Sequence, residues 1–251
     1  EEELELYYHG FANEVLWPLF HDLQSHCNFQ PEYWHSYLQV NRKFAMHIKR
    51  QLQAGDYIWV HDYHLMNVAA ELRELELDTP VGFFLHIPFP PPDIFVKLPW
   101  RFHILRALLS YDLVGFQTMR DKRNFVQCLR MLMKEYPVRS TGGFHICSTE
   151  VRDVRIGVFP ISIDYHDFER RARHKDVSEA AWYIHEHLQQ QQIVLGIDRL
   201  DYTKGIPYRL KAFRNALRRF PELQESMTLV QVVVTSRTDI AKYNALKIEI
   251  D

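Results

Sequence analysis

The chain has 251 residues, is 47% hydrophobic and 14% aromatic, and carries 30 Lys and Arg against 32 Asp and Glu, a formal net charge of −2. This composition supplies a sizeable core and excludes a disordered chain. The balanced, interspersed charges exclude the basic field that nucleic-acid binding needs, and the strand-sized apolar runs leave no membrane-spanning segment.

Residues 7–37 are rich in aromatic side chains, most of which are expected in the core: Tyr7, Tyr8, Phe11, Trp17, Phe20, Phe29, Tyr33, Trp34 and Tyr37. Trp17 precedes Pro18, which places it at a turn or a helix start; an aromatic there can also wall a sugar site. Leu38, Asn41, Ala45, Ile48 and Leu52 recur at helical spacing, and Gly55-Asp56 closes that helix. Tyr57-Ile58-Trp59-Val60 reads as a buried strand. It ends in His61-Asp62-Tyr63-His64 and runs into a helix over 65–75. The pattern then repeats. A strand over 81–85 ends in His86-Ile87-Pro88-Phe89-Pro90-Pro91-Pro92, a turn that its prolines keep non-helical. A helix over 100–110, a strand over 112–118 and a helix over 120–134 follow. Strands alternating with helices imply a parallel sheet with right-handed crossovers.

Gly142-Gly143 predicts a hairpin, and 154–163 a further strand. The charged, His-rich stretch 165–192 holds an amphipathic helix (Trp182, Ile184, His187, Leu188). A domain boundary near residue 164 follows from this change in composition, giving domains 1–164 and 165–251. The second opens on Ile193-Val194-Leu195-Gly196-Ile197, read as a buried strand, then the polar turn Asp198-Arg199-Leu200-Asp201-Tyr202-Thr203-Lys204-Gly205. A helix follows with apolar positions 210, 213, 217 and 220, then a strand over 227–234 ending in Thr235-Ser236-Arg237-Thr238-Asp239. Cys27, Cys128 and Cys147 are an odd, widely spaced set, which points to a reducing, cytoplasmic compartment with neither a disulfide framework nor a zinc site. No signal peptide opens the chain. It starts at Glu1 without Met and stops at Asp251 inside what reads as a helix over 240–250, so it reads as a larger protein cut at both ends.

Asp62, His86, Arg199, Lys204 and Arg237 all stand just past predicted strands, and the strand ends of an open parallel sheet are where ligands bind. Arg199 and Lys204 beside a helix start suit a phosphate. A carboxylate and an imidazole added to them suit a phosphorylated, hydroxyl-rich substrate. His61-x-x-His64 has no third partner that would make it a metal site. There is no Gly-x-Gly-x-x-Gly, no phosphate loop of the NTPase type, no nucleophile elbow and no identifiable carboxylate pair for glycoside hydrolysis.

Six strings carry a resemblance that covers nearly the whole chain: YYHGFANEVLWPLFH (7–21), WVHDYHL (59–65), GFFLHIPFP (82–90), DLVGFQT (112–118), DRLDYTKGIP (198–207) and TSRTD (235–239). In this order they resemble the trehalose-6-phosphate synthases, retaining sugar-nucleotide glycosyltransferases. The resemblance implies an α/β fold of two Rossmann-like parallel-sheet domains facing across a cleft (GT-B type). The first is the acceptor side, lacking its first segment; the second is the nucleotide-sugar-donor side, incomplete here. It implies transfer of glucose from UDP-glucose to glucose 6-phosphate with retention. Arg199 and Lys204 would hold the donor diphosphate, His86 would contact the donor glucose and Asp62 the acceptor hydroxyls. Tyr8, Trp17 and Arg237 would bind glucose 6-phosphate, with Arg237 on its phosphate. No metal or other cofactor is implied, and no nucleic-acid or membrane partner; a homo-oligomer, the donor's base and a fused phosphatase domain stay open. The family's N-terminal Arg-Leu-Pro segment, its Gly-Gly loop over the donor and its later segment with an Asp near the donor sugar and a Glu near the ribose are absent from these residues. Ser162 replaces the usual Gly of a Pro-Ile-Gly-Ile-Asp string, where a side chain would narrow the backbone's approach to a ligand. Two other readings follow from the same residues: a synthase-like module that senses sugar phosphate without catalysis, and a different two-domain glycosyltransferase or phosphorylase.

Overall fold

The computed structural model describes residues 2–188 and 192–234, with 248 and 250. The chain divides into two compact units, Glu1–Ile161 and Ser162–Asp251. The first opens on one helical run: α1 (Glu2–Leu4), a π-helix (Glu5–Leu16) and α2 (Trp17–Phe20). The π geometry shows in the Trp17 N–H, which donates to the Ala12 carbonyl five residues back. Such widened turns are rare and gather at functional sites. Pro18 lies within this run and has no N–H for the Glu14 carbonyl four residues back, which accepts instead from the Asn28 N–H at 2.9 Å. Phe11, Trp17, Phe20, Trp34 and Tyr37 are buried as expected, whereas Phe29 is exposed.

α3 (Pro31–Gln51) leads to β1 (Ile58–His61), a short 3-10 turn (Tyr63–Leu65) and α4 (Val68–Glu74). Next come β2 (Val81–Leu85), the single turn α5 (Pro92–Phe95), α6 (Arg101–Leu108), β3 (Leu113–Phe116) and α7 (Met119–Leu132). The Thr118 hydroxyl caps α7 by accepting from the Asp121 N–H at 3.2 Å. The predicted hairpin is β4 (Val138–Thr141) and β5 (Phe144–Ser148), and β6 (Asp153–Val158) closes the sheet. Sheet order is β1-β2-β3-β6-β5-β4, with β1, β2, β3 and β6 parallel and the hairpin antiparallel. β6 ends before the predicted residue 163: its neighbour β3 ends at Phe116, and the Ile161 N–H donates to the Gln117 side chain at 2.9 Å rather than to a strand.

One face of the sheet (Val60, Phe83, Val114, Ile156) is buried, and the rings of Phe89, Phe95, Phe116 and Phe125 pack on one another beside it. On the other face Gly82, Gly115 and Gly157 make room for rings. A Cβ at Gly82 would lie 2.5 Å from the Tyr57 hydroxyl, and one at Gly157 would lie 2.7 Å from Phe159. An apolar hollow of about 350 Å³ lies here, lined among others by Tyr57, Trp59, Phe84 and Phe159. The stretch 57–60 is therefore only half buried: Val60 is enclosed but Trp59 is 64% exposed.

In the second unit α8 (Tyr165–Ala172) and α9 (Lys175–His187) precede β7 (Gln192–Arg199). A 3-10 turn (Tyr202–Lys204), α10 (Ile206–Arg219) and β8 (Met227–Val234) follow, with β7 and β8 parallel. The expectation that 193–197 is a buried strand fails: Leu195 and Ile197 are 60% and 64% exposed, and only Gly196 in β7 is buried. The physical reason is the lack of layers, since β7 pairs with β8 alone among the described residues. Trp182 and Ile184 of α9 are likewise exposed. The helix predicted over 240–250 lies outside the described residues except at 248 and 250. Among the described residues no helix is long and apolar enough to cross a membrane.

Candidate functional site

The first group of predicted site residues gathers on the loop after β1. Asp62 has φ 70° and ψ 168°, a backbone state that L-residues avoid at a cost of about 1–3 kcal/mol. The surroundings hold it there. Its N–H donates to the Phe84 carbonyl at 2.8 Å, and its Oδ1 accepts from the His86 N–H at 3.3 Å. The carboxylate at the end of β1 is thereby tied to the end of β2.

The next residues of the loop are anchored through their main chain. The buried Tyr37 hydroxyl donates to the Tyr63 carbonyl and accepts from the Met66 N–H, each at 2.9 Å. Asn41 donates to the His64 carbonyl at 3.1 Å and accepts from the Asn67 N–H at 3.1 Å. Tyr7 also donates to the His64 carbonyl, at 3.1 Å, and Tyr111 to that of Leu65 at 2.9 Å. Burial pushes the Tyr37, Tyr7 and Tyr111 phenols well above their ordinary range, so they act as neutral donors.

Two rings from the N-terminal helical run close on this loop. Tyr8 stacks on His64, with ring centres 5.6 Å apart and planes at 11°. Trp17, which is buried, tilts against Tyr63 at 5.8 Å and His21 at 4.2 Å. Tyr63 and His64 are in ring contact at 4.0 Å, so Tyr8, Trp17 and Asp62 share one anchored loop. His86 is exposed, and its Nε2 lies 2.9 Å from His61 Nδ1. One of these nitrogens donates to the other, so the pair cannot both be protonated there. Burial, and then His86, hold the His61 imidazole below its ordinary value, with Asp62 opposing them.

In the second unit the turn after β7 is built by Asp201, which is buried. Its Oδ1 accepts from the Thr203 N–H and hydroxyl, each at 2.9 Å. Gly205, at φ 65°, turns the chain into α10. Arg199 and Lys204 flank this turn, and both are exposed. Behind them Arg209 Nη1 donates to Asp198 Oδ2 at 2.5 Å and to Gln231 Oε1 at 2.6 Å, tying α10 to both strands. The Arg209 hydrogen bond holds the Asp198 carboxyl below its ordinary value. A Cβ at Gly196 would meet Gln231 at 2.2 Å, so glycine is what lets this pair lie across β7.

Comparison with known proteins fits this geometry into a family. The family model for glycosyltransferase family 20 matches residues 1–251. The chain belongs to glycosyltransferase family 20. It is 42% identical over 255 residues to the trehalose-6-phosphate synthase of Mycolicibacterium paratuberculosis, covering 100% of this chain and 52% of that protein. A bifunctional trehalose-6-phosphate synthase/phosphatase from Thermoproteus tenax is 41% identical and is covered over 34% of its length. Among solved structures, the E. coli protein bound with UDP-2-fluoro glucose superposes with a TM-score of 0.91 at 35% identity, covering 100% of this chain and 54% of that one. The Burkholderia xenovorans synthase in complex with glucose-6-phosphate gives 0.90 at 29%, covering 100% and 55%. The family 20 chain thus spans about half the length of the relatives it matches. Its α/β fold with a parallel-dominated sheet is the one these structures share.

Within this family 20 chain, Tyr8, Trp17, Asp62 and His86 fall around one loop, while Arg199 and Lys204 fall on the turn of the second unit. Arg237 lies outside the described residues. Ser162 is exposed and is absent from the non-glycine residues at positive φ, so a side chain there brings no backbone strain. Among the described residues no group of three His, Cys, Asp or Glu could hold a metal ion. Tyr37, Asn41, Asp201 and Arg209 had no assigned role from sequence. Asn41 was the legible one, because an amide on the apolar stripe of a helix calls for a buried partner.

Proposed function

We propose that the protein carrying this chain transfers glucose from UDP-glucose to glucose 6-phosphate with retention of anomeric configuration, giving trehalose 6-phosphate and UDP. The observation that carries this reading is the single anchored loop shared by Tyr8, Trp17 and Asp62, with His86 hydrogen-bonded to it. A carboxylate fixed among aromatic rings suits a sugar: the acid accepts from hydroxyls and the rings cover C–H faces. The likeness to proteins named as trehalose-6-phosphate synthases supports the choice of sugar.

In this reading Asp62 accepts from hydroxyls of the acceptor glucose, Tyr8 and Trp17 shape its pocket, and Arg237 pairs with its phosphate. His86 contacts the donor glucose. Arg199 and Lys204 hold the donor diphosphate. As the bond from the anomeric carbon to the diphosphate oxygen breaks, charge grows on the leaving group, and two cations at that place stabilise it most at that moment. Asp201 and Gly205 are positioning residues that set the turn bearing both cations.

The test is UDP release by the whole protein supplied with UDP-glucose and glucose 6-phosphate. Release that depends on both sugars is expected. Silence with UDP-, GDP- and ADP-glucose alike, alongside calorimetric binding of glucose 6-phosphate, would replace the reading with a sensing module.

A further inference from the structure

Outside the strand-end cluster, the face of α7 turned toward β5 carries an unusual concentration of positive charge. Met119, Lys122 or Arg123, Val126 or Gln127, and Arg130 recur at spacings of three and four, which puts them on one stripe of the helix. With His145 of β5 they line a hollow of about 490 Å³, large enough for a small molecule. Its lining holds Arg120, Lys122, Arg123 and Arg130 and no carboxylate. The nearest acid to one of them is Asp121, 3.9 Å from Arg120, and that acid is buried with its oxygens engaged by the Phe89 N–H and the Thr118 hydroxyl. Like charges along one helix face destabilise it unless something answers them.

Two groups in the hollow, one a buried ammonium and the other a half-buried imidazole, sharpen this. Lys122 is only 4% exposed, and its ammonium donates to the Gly143 carbonyl at 3.1 Å. An ammonium has three protons to donate, and one neutral carbonyl does not neutralise it. His145 Nδ1 is buried with no hydrogen-bond partner among the described residues. Leaving such a group unsatisfied costs about 1–3 kcal/mol. The ammonium points to an acceptor-rich, negatively charged occupant, and the imidazole meets the same occupant as a donor when its Nδ1 carries the proton.

We propose that this hollow binds a small dianionic phosphate, either inorganic phosphate or a phosphate ester, at a site separate from the strand-end cluster. Lys122 and His145 form its floor; Arg120, Arg123 and Arg130 form its rim. The site shares no residue with Tyr8, Trp17, Asp62, His86, Arg199 or Lys204. Burial, followed by Lys122 and Arg130, holds the His145 imidazole below its ordinary value. A bound dianion opposes those two cations, so occupancy raises the midpoint at which His145 takes up its proton.

The experiment follows the His145 ring resonance by NMR in the full chain. Arg199→Ala, Lys204→Ala and Arg237→Ala form the background, so that binding at the proposed substrate site makes no contribution. Inorganic phosphate and glucose 6-phosphate are titrated separately. Saturable movement of the resonance with an upward shift of its midpoint is expected. Tighter binding of one probe identifies the source as free anion or ester. Arg123→Ala with Arg130→Ala should weaken binding about 10-fold or more. Gln127→Glu, which adds a carboxylate to the hollow while keeping both arginines, should do the same. A resonance that neither probe moves, or equal binding in the double-arginine variant with native circular dichroism, would overturn the proposal.

Discussion

β2 and β7 carry the same kind of sequence and reach opposite states of burial. Val81-Gly82-Phe83-Phe84-Leu85 is enclosed at every position, whereas Gln192–Arg199 buries only Gly196. β2 lies between two parallel neighbours with helices over one face; among the described residues β7 has one partner strand, β8. An apolar run is therefore a statement about which layers it can accept, and its burial is decided by whether those layers are present. The same contrast runs through the sites. Asp62 and His86 are held by bonds that cross from strand to strand and from α3 to the loop. Arg199 and Lys204 stand exposed on a turn held by Asp201 and Gly205.

The comparison is broken most directly by truncating one apolar side chain from each sheet. Phe116 of β3 is fully buried, 5.2 Å from the Phe125 ring and 5.9 Å from Phe89. Phe116→Ala should cost about 3–5 kcal/mol, the loss of transfer energy plus the cavity left behind. Leu195→Ala in β7 should cost less than about 1 kcal/mol, since most of that side chain already meets water. Urea unfolding of both variants measures the two values, and equal values would mean that β7 is covered in solution.

Next in size is an effect on rate. Arg199→Ala should lower the turnover of the whole protein by roughly 10²–10³-fold if the guanidinium meets leaving-group charge in the transition state. The measure is UDP release at saturating donor and acceptor. An unchanged rate would make Arg199 a solvated surface charge.

A smaller effect is expected from the bonds that anchor the first-unit loop. Asn41→Ala leaves the Asn67 N–H without its side-chain acceptor and takes one donor from the His64 carbonyl. The cost should be about 1–3 kcal/mol in stability. Because the loop bears Asp62 and supports Tyr8, KM for glucose 6-phosphate should rise more than KM for the donor. A purely structural role for Asn41 would lower stability without that split.

Most of the element order in the first unit was legible because each strand and helix there carries its own period and meets the layers that the period anticipates. The π-helix was not, since its widened turns leave no simple spacing in the sequence. Burial of 57–60 and 193–197 was misread because an apolar run does not declare whether a second layer covers it. The positions of Asp62 and His86 just after β1 and β2 were legible in the sequence. The α3 residues that hold Asp62's loop were not, since Tyr37 and Asn41 read as ordinary members of a helical stripe until the fold set them beside the main chain of 63–67.

The smallest expected effect separates the two units by pH. His61 takes its proton below the ordinary histidine value of 6.5 in the folded chain, because burial and then His86 disfavour the imidazolium more than Asp62 favours it. In the unfolded chain it protonates near 6.5. Between the folded value and 6.5 the unfolded state binds more protons, so stability rises with pH across that window. The contribution is complete above 6.5 and is lost as pH falls through the folded value. His61→Gln removes the titration. The variant's stability, followed by urea unfolding from about pH 5 to 7.5, should therefore fall less steeply on the acid side than that of the parent. Trp59, whose ring lies 4.4 Å from that of His61, reports the first unit, and Trp182 of α9 reports the second. The change in slope belongs to the transition seen by Trp59. Parallel slopes for parent and variant would show that His61 titrates alike folded and unfolded, and the close His61–His86 pair would then be absent in solution.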